Sequence, residues 1–173
     1  MRVCGLWTGN VAVVLCVAAA TWLLAACGFH PRGDTPLPAA MSVTYISGTQ
    51  EFDTLYDDLR TALENRGARV TQNRAEATAM LNVLENNSDT KVLAVDLTGK
   101  VLEYRFRQNL QFDVTATDGR ALLDRQSVTM SRALKFNRND VLGTEREYAL
   151  IRKELQRDVV NLAMLRITAA GRR

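Results

Sequence analysis

Histidine occurs once in this 173-residue chain, cysteine three times and proline three times, and all seven lie before residue 39. From Met41 onward there is neither imidazole nor thiol. That absence excludes Cys/His and Ser/His/Asp nucleophilic sites from the body of the protein. It likewise excludes zinc held by Cys and His. With no disulfide available there, an exported domain depends on packing alone for stability. An excess of one charge is missing too: 22 basic side chains stand against 19 acidic, a net +3, which is no nucleic-acid footprint. The adjacent carboxylates Asp57 and Asp58 fall on the polar side of a helical pattern, where they read as a solvated face.

Long apolar runs are also scarce. The one that stands out, Val11 to Ala26, has 16 residues, whereas a membrane-spanning helix needs roughly 20. Arg2 is the only charge before it, and Leu24-Ala25-Ala26-Cys27 closes it with two small residues and a cysteine. This is the pattern of a bacterial lipoprotein signal, cut before Cys27 and acylated on it. An uncleaved anchor, or a plain signal peptide with a coincidental cysteine, are the alternatives. Each buried acyl methylene contributes about 0.8 kcal/mol, so two or three chains hold a protein at a bilayer durably.

Three segments follow from this reading: residues 1–26 as signal, 27–40 as acylated start and flexible tether, and 41–173 as the folded domain. The tether carries His30, Pro31, Arg32, Gly33, Asp34, Pro36 and Pro38. Removal of the signal leaves 147 residues, enough for one domain with a core, carrying 21 basic against 19 acidic groups.

Within the domain, Met41 to Ile46 reads as a strand, broken by Ser47, Gly48 and Thr49. From Glu51 to Arg66 a helix is predicted by Phe52, Leu55, Tyr56, Leu59, Ala62 and Leu63 at spacings of three and four, with Gly67 as its stop. Ala68 to Thr71 is a short extended piece and Gln72 to Thr78 a polar connection. Ala79 to Val95 is β-rich but changes phase, which a bulge between Glu85 and Asp89 would reconcile. Asp96-Leu97-Thr98-Gly99 then makes a turn.

The clearest pattern in the chain follows. Leu102, Tyr104, Phe106, Leu110, Phe112, Val114 and Ala116 share one parity, interrupted only by Gln108, while polar residues fill the alternate positions. Such a strand, dry on one face and wet on the other, would run roughly 50 Å at 3.3 Å per residue. Asp118-Gly119 turns it back into Ala121 to Phe136, where Leu122, Val128, Met130, Leu134 and Phe136 share a parity that Arg132 also carries. That puts an arginine on the core side unless a bulge intervenes. Thr144-Glu145-Arg146-Glu147 reads as a capping box opening a last helix, with Tyr148, Ile151, Leu155, Val159, Leu162 and Leu165 as its stripe to about Ile167.

The fold class is therefore α+β: a two-layer sandwich in which a mainly antiparallel four-stranded sheet packs against two helices. The other sheet face is left polar and open. With catalytic groups so few, a binding surface is the better reading. Arg105 and Arg107 protrude from the wet face of the long strand, Lys100 begins it, and Arg125, Arg132, Lys135 and Arg138 lie on or beyond its partner. Such cations suit phosphates. The alternative is ordinary cross-strand pairing with Glu103, Asp113 and Asp124, worth about 0.2–1 kcal/mol each.

Cys27-Gly28-Phe29-His30-Pro31-Arg32-Gly33 resembles the Cys-Gly-Phe-x-x-Arg-Gly opening of the LptE family of lipopolysaccharide-assembly lipoproteins. The segment Gly99 to Tyr104, the returning strand around Arg132 and the closing helix follow that family's order. The resemblance implies a non-enzymatic outer-membrane lipoprotein, anchored through Cys27 at the periplasmic face, without a cofactor. It further implies a plug inside the LptD barrel that helps assemble it and contacts lipopolysaccharide. Gly28 after the cysteine agrees with sorting to the outer membrane. Through the resemblance, Arg132 is the carried-over lipopolysaccharide contact, with Lys135 and Arg138 as companions; Arg105 and Arg107 join them as candidates from the wet strand face. A basic residue expected before the Thr98-Gly99 turn is replaced here by Leu97. The alternatives are an accessory lipoprotein of another outer-membrane machine, or a periplasmic hydrolase using two carboxylates.

Overall fold

The structure, a computed structural model, describes residues 37–51, 53–135 and 141–171. A single turn of 3-10 helix, Ala39–Met41, leads into strand β1 (Val43–Ser47) and helix α1 (Thr54–Glu64). Strand β2 (Arg69–Thr71) and a second 3-10 turn (Arg74–Glu76) follow. Three long strands come next, β3 (Ala79–Val95), β4 (Val101–Ala116) and β5 (Ala121–Lys135), and helix α2 (Val141–Ala170) closes the chain.

The sheet has five strands in the order β2-β1-β3-β4-β5 and is mixed. β1 runs parallel to both β2 and β3, whereas β3, β4 and β5 form an antiparallel meander. The α+β class with two helices therefore stands, but a four-stranded, mainly antiparallel sheet is corrected to five strands with a parallel edge. The extra strand is the extended piece at residues 69–71. Three residues are too few to display a period of two, and only their pairing with Val43, Thr44 and Tyr45 makes them a strand.

Helix α1 begins where Asp53 Oδ1 accepts from the Leu55 N–H at 3.2 Å. It buries Leu55, Tyr56, Leu59, Ala62 and Leu63, while Phe52 of the predicted stripe lies outside the described residues. Gly67, at φ +86°, lets the Ala68 N–H turn back to the Leu63 carbonyl at 3.2 Å. Gly48 is required for a different reason: a Cβ there would lie 2.0 Å from the Val83 carbonyl oxygen.

The phase change in β3 has the predicted cause one residue earlier than expected. Register shifts between Val83 and Glu85, so Leu84 is the extra residue. Beyond it Asn86, Ser88, Thr90 and Val92 take over the face of Leu81 and Val83. On β4 the even positions from Phe106 to Ala116, Gln108 included, are buried.

Two expectations for α2 are corrected. It starts at Val141, so Thr144-Glu145-Arg146-Glu147 lies within the helix rather than at its cap. A four-residue pattern is easily matched by chance, and once a helix is nucleated an additional turn costs little. Leu165, counted in the stripe, is 57% exposed, and Val160, Ala163, Met164 and Ile167 are buried instead. A helix some 45 Å long cannot hold one 3.6-residue stripe against a twisted sheet, so its line of contact winds.

The main core joins Met41, Ile46, Leu55, Leu59, Leu63, Leu81, Leu110, Phe112, Val114, Val159 and Ile167. A smaller cluster of Phe106, Ile151 and Leu155 lies further along β4, with Tyr104, Met130, Leu134 and Tyr148 against it. A Cβ on Gly171 would meet Pro38 at 2.4 Å, so the end of α2 and the start of the described chain come together. The Asp96–Gly99 turn lies at the opposite end of the β3–β4 ribbon, roughly 50 Å of strand away. No helix among the described residues is long and apolar enough to cross a membrane.

Candidate functional site

The sheet face turned away from the core cluster is held by side-chain hydrogen bonds running across the strands. Ser47 Oγ donates to Asn82 Oδ1 at 2.7 Å, and Asn82 Nδ2 donates to Asp113 Oδ1 at 2.7 Å. Further along, Glu85 accepts from Gln111 and Asn87. Asn109 Oδ1 accepts from Ser127 and Thr129 at 3.0 and 2.9 Å. Polar groups satisfied in this way keep the face rigid and wet.

Toward the Asp96–Gly99 turn the same face becomes cationic. Arg105 stands directly across from Lys91, Arg107 across from Asp89, and Lys135 across from Glu103. Lys91 Nζ reaches Asp89 Oδ2 only at 3.9 Å. Facing cross-strand side chains lie about 4.5–5.5 Å apart, so placing Lys91 opposite Arg105 works against folding. An anion bound there would offset the repulsion. Lys91 escaped the sequence reading because its facing partner depends on the bulge at Leu84.

Past these cations the ribbon becomes apolar and exposed. Val92, Leu93, Val95, Leu97 and Leu102 are five of the eight exposed large aliphatic side chains among the described residues. Leu97, at the turn, is wholly exposed. Asp96 Oδ1 fixes that turn by accepting from Thr98 N at 2.8 Å and Lys100 N at 3.0 Å. The signal was available in the sequence as valines and leucines on both parities of a hairpin end, which a half-buried strand would not carry.

The predicted cations do not form one cluster. Arg105, Arg107 and Lys135 share the open face, but Arg132 lies opposite Phe106 on the helix side. Its core-facing parity is real, and the conflict is resolved without burial. Arg132 donates to Glu154 of α2 and, at 3.1 Å, to Asp158 Oδ2. Its acidic partners thus come from a helix rather than across a strand. Arg125 falls at the β4–β5 register shift between Phe112 and Val114. Arg138 and Cys27 lie outside the described residues.

Asp57 is exposed, as a solvated face requires, whereas Asp58 is partly buried. Both line a cleft between α1, α2 and the sheet, where Gln156 Nε2 donates to Asp58 Oδ2 at 2.7 Å. Burial pushes the Tyr148 phenol above its usual pKa, and its hydroxyl has no hydrogen-bond partner among the described residues. No group of acidic, His or Cys residues among those described has the arrangement of a metal site.

Residues 40–167 match the family model described as LptE, lipopolysaccharide-assembly. The chain belongs to the LptE family. The LPS-assembly lipoprotein LptE of Photorhabdus laumondii is 23% identical over 144 residues, covering 83% of this chain and 78% of that protein. Its counterpart in Pectobacterium atrosepticum is 24% identical over 143 residues, covering 82% and 77%. LptE proteins are non-enzymatic lipoproteins of lipopolysaccharide assembly, and the hydrolase reading falls with that membership. The fold is shared with lipoprotein B of Nitrosomonas europaea, at a TM-score of 0.69 and 21% identity over 82% of this chain and 91% of that one. It is shared too with rare lipoprotein B of Shewanella oneidensis, at 0.63 and 18% over 75% and 96%. The long hairpins and closing helix that carry the candidate site are thus LptE elements.

Proposed function

We propose that this LptE-family chain is an outer-membrane lipoprotein that plugs and helps assemble the LptD barrel and contacts lipopolysaccharide during its insertion in the outer leaflet. In this reading residues 1–26 are removed, Cys27 is acylated, residues 27–40 form the tether, and 41–173 work at the periplasmic face. The observation that carries it is the pairing of Lys91 with Arg105 beneath an exposed apolar turn. Cations followed by aliphatic side chains match a phosphorylated glycolipid, whose phosphates precede its acyl chains. The polar ladder on the open face supports the plug, because a barrel lumen offers polar walls to it.

Arg105, Arg107 and Lys135 supply the lipid contacts from the open face. Arg132 adds to them from the helix side, where a phosphate has to displace Glu154 and Asp158. An acyl anchor keeps the domain near its barrel and raises effective concentration without new contacts.

Two measurements separate the parts of this reading. Affinity capture of the full-length protein from outer membranes should bring down LptD in about equal amount, and capture of a different barrel, or none, overturns the plug. Arg105→Glu with Lys135→Glu should weaken lipopolysaccharide binding about tenfold or more at an unchanged melting temperature. Unchanged binding returns these residues to plain surface charge.

A further inference from the structure

The helix side of the sheet carries a polar patch of its own, separate from the open cationic face. Beyond the bulge at Leu84, the inward positions of β3 change from Leu81 and Val83 to Asn86 and Ser88. Gln108 of β4 stands opposite Ser88 and is 4% exposed, donating Nε2 to Asn86 Oδ1 at 2.6 Å. The alternation of β4 calls for an apolar side chain there, and burying an amide costs free energy that a leucine would not. A polar floor has been built where packing alone would favour a dry one.

Above this floor lies a cleft of about 550 Å³, with α1 on one side and α2 on the other. Gln156 of α2 ties the two helices by donating to Thr54 Oγ1 at 3.2 Å as well as to Asp58. Arg152 enters from α2 with its guanidinium 5.7 Å from the centroid of the Phe106 ring, a stacking that orients its N–H groups. Lys153 follows it along the wall. Neither cation has a carboxylate partner among the described residues, whereas Arg132 of the same layer has two.

These groups select a ligand by chemistry. Amides, hydroxyls and the exposed Asp57 carboxylate exchange hydrogen bonds with a hydroxyl-rich molecule, and two unpaired cations take one acidic group. A metal ion is repelled by Arg152 and Lys153, and an apolar ligand would leave the floor unsatisfied. Small-ligand sites occupy about 300–1,000 Å³, which leaves room here for one or two sugar rings. We infer that the cleft binds a small anionic saccharide, a sugar phosphate or sugar acid, free in solution or borne as a glycolipid headgroup. The site lies on the opposite sheet face from Arg105 and Lys135 and stands apart from the lipid contact proposed for them.

The test is a titration of the full-length protein with glucose 6-phosphate, following the side-chain amide NMR signals of Gln108 and Gln156. Saturable shifts are expected, with glucose and inorganic phosphate each binding at least about tenfold more weakly. Arg152→Gln with Lys153→Gln should weaken binding by a similar factor, while Arg105→Glu with Lys135→Glu leaves it intact. Gln108→Leu should abolish the response and hold or raise the melting temperature, since it restores the dry alternation. A parallel arm uses micelles of a phosphorylated glucosamine glycolipid; a response to the micelles alone assigns the ligand to a headgroup, and one to glucose 6-phosphate to a free sugar. Silence in both arms, equal binding of inorganic phosphate, or indifference to the Arg152/Lys153 exchange overturns the inference.

Discussion

The two ends of the β3–β4–β5 meander are made from one alternating pattern and meet different surroundings. At the end near Pro38, the even positions of β4 lie beneath both helices and join a core that includes Phe112, Leu59 and Ile167. Toward the Asp96–Gly99 turn, only the first half of α2 covers the sheet, and the buried cluster shrinks to Phe106, Ile151 and Leu155. Beyond that, Val92 and Leu102 are about half exposed and Leu97 is wholly so. Periodicity prepares a strand for burial, but the number of helices lying over it decides how much is buried. The covered end supplies stability, and the uncovered end is available to partners.

The largest test of that contrast is Phe112→Ala against Phe106→Ala. Truncation of Phe112 should cost about 3–5 kcal/mol in urea unfolding, because it opens the shared core. Truncation of Phe106 should cost less globally and accelerate amide exchange chiefly between Tyr104 and Gln108, by sub-global opening of the ribbon. Equal losses and uniform exchange would mean that the ends form one cooperative unit.

A smaller effect is expected from Arg132→Ala. Its guanidinium joins β5 to α2 through two half-exposed carboxylates. About 1 kcal/mol should be lost, much of it reversed in high salt. A loss above about 3 kcal/mol would show this pair to be buried in the working protein.

The smallest stability change belongs to Leu97→Asp. Fully exposed at the turn, it should alter unfolding by less than about 0.5 kcal/mol while weakening association with lipopolysaccharide micelles. A marked drop in melting temperature would show that the uncovered end also contributes to the fold.

Local patterning was legible to the extent that it needed only neighbours in sequence. The α1 stripe with its Gly67 stop, both glycine turns and the fifteen-residue alternation of β4 are all read from neighbouring residues, because helix and strand periods are properties of the backbone. The conflict at Arg132 was visible as well, although its answer was not. What the sequence could not express was pairing: which strand β2 joins, that the bulge falls at Leu84, that Lys91 consequently faces Arg105, and that Glu154 and Asp158 receive Arg132. Each depends on residues brought together from far along the chain, where register and packing choose among partners that are locally equivalent. Chemistry on each strand was thus written residue by residue, whereas its grouping into an open cationic face and a helix-side cleft came from how the layers pack.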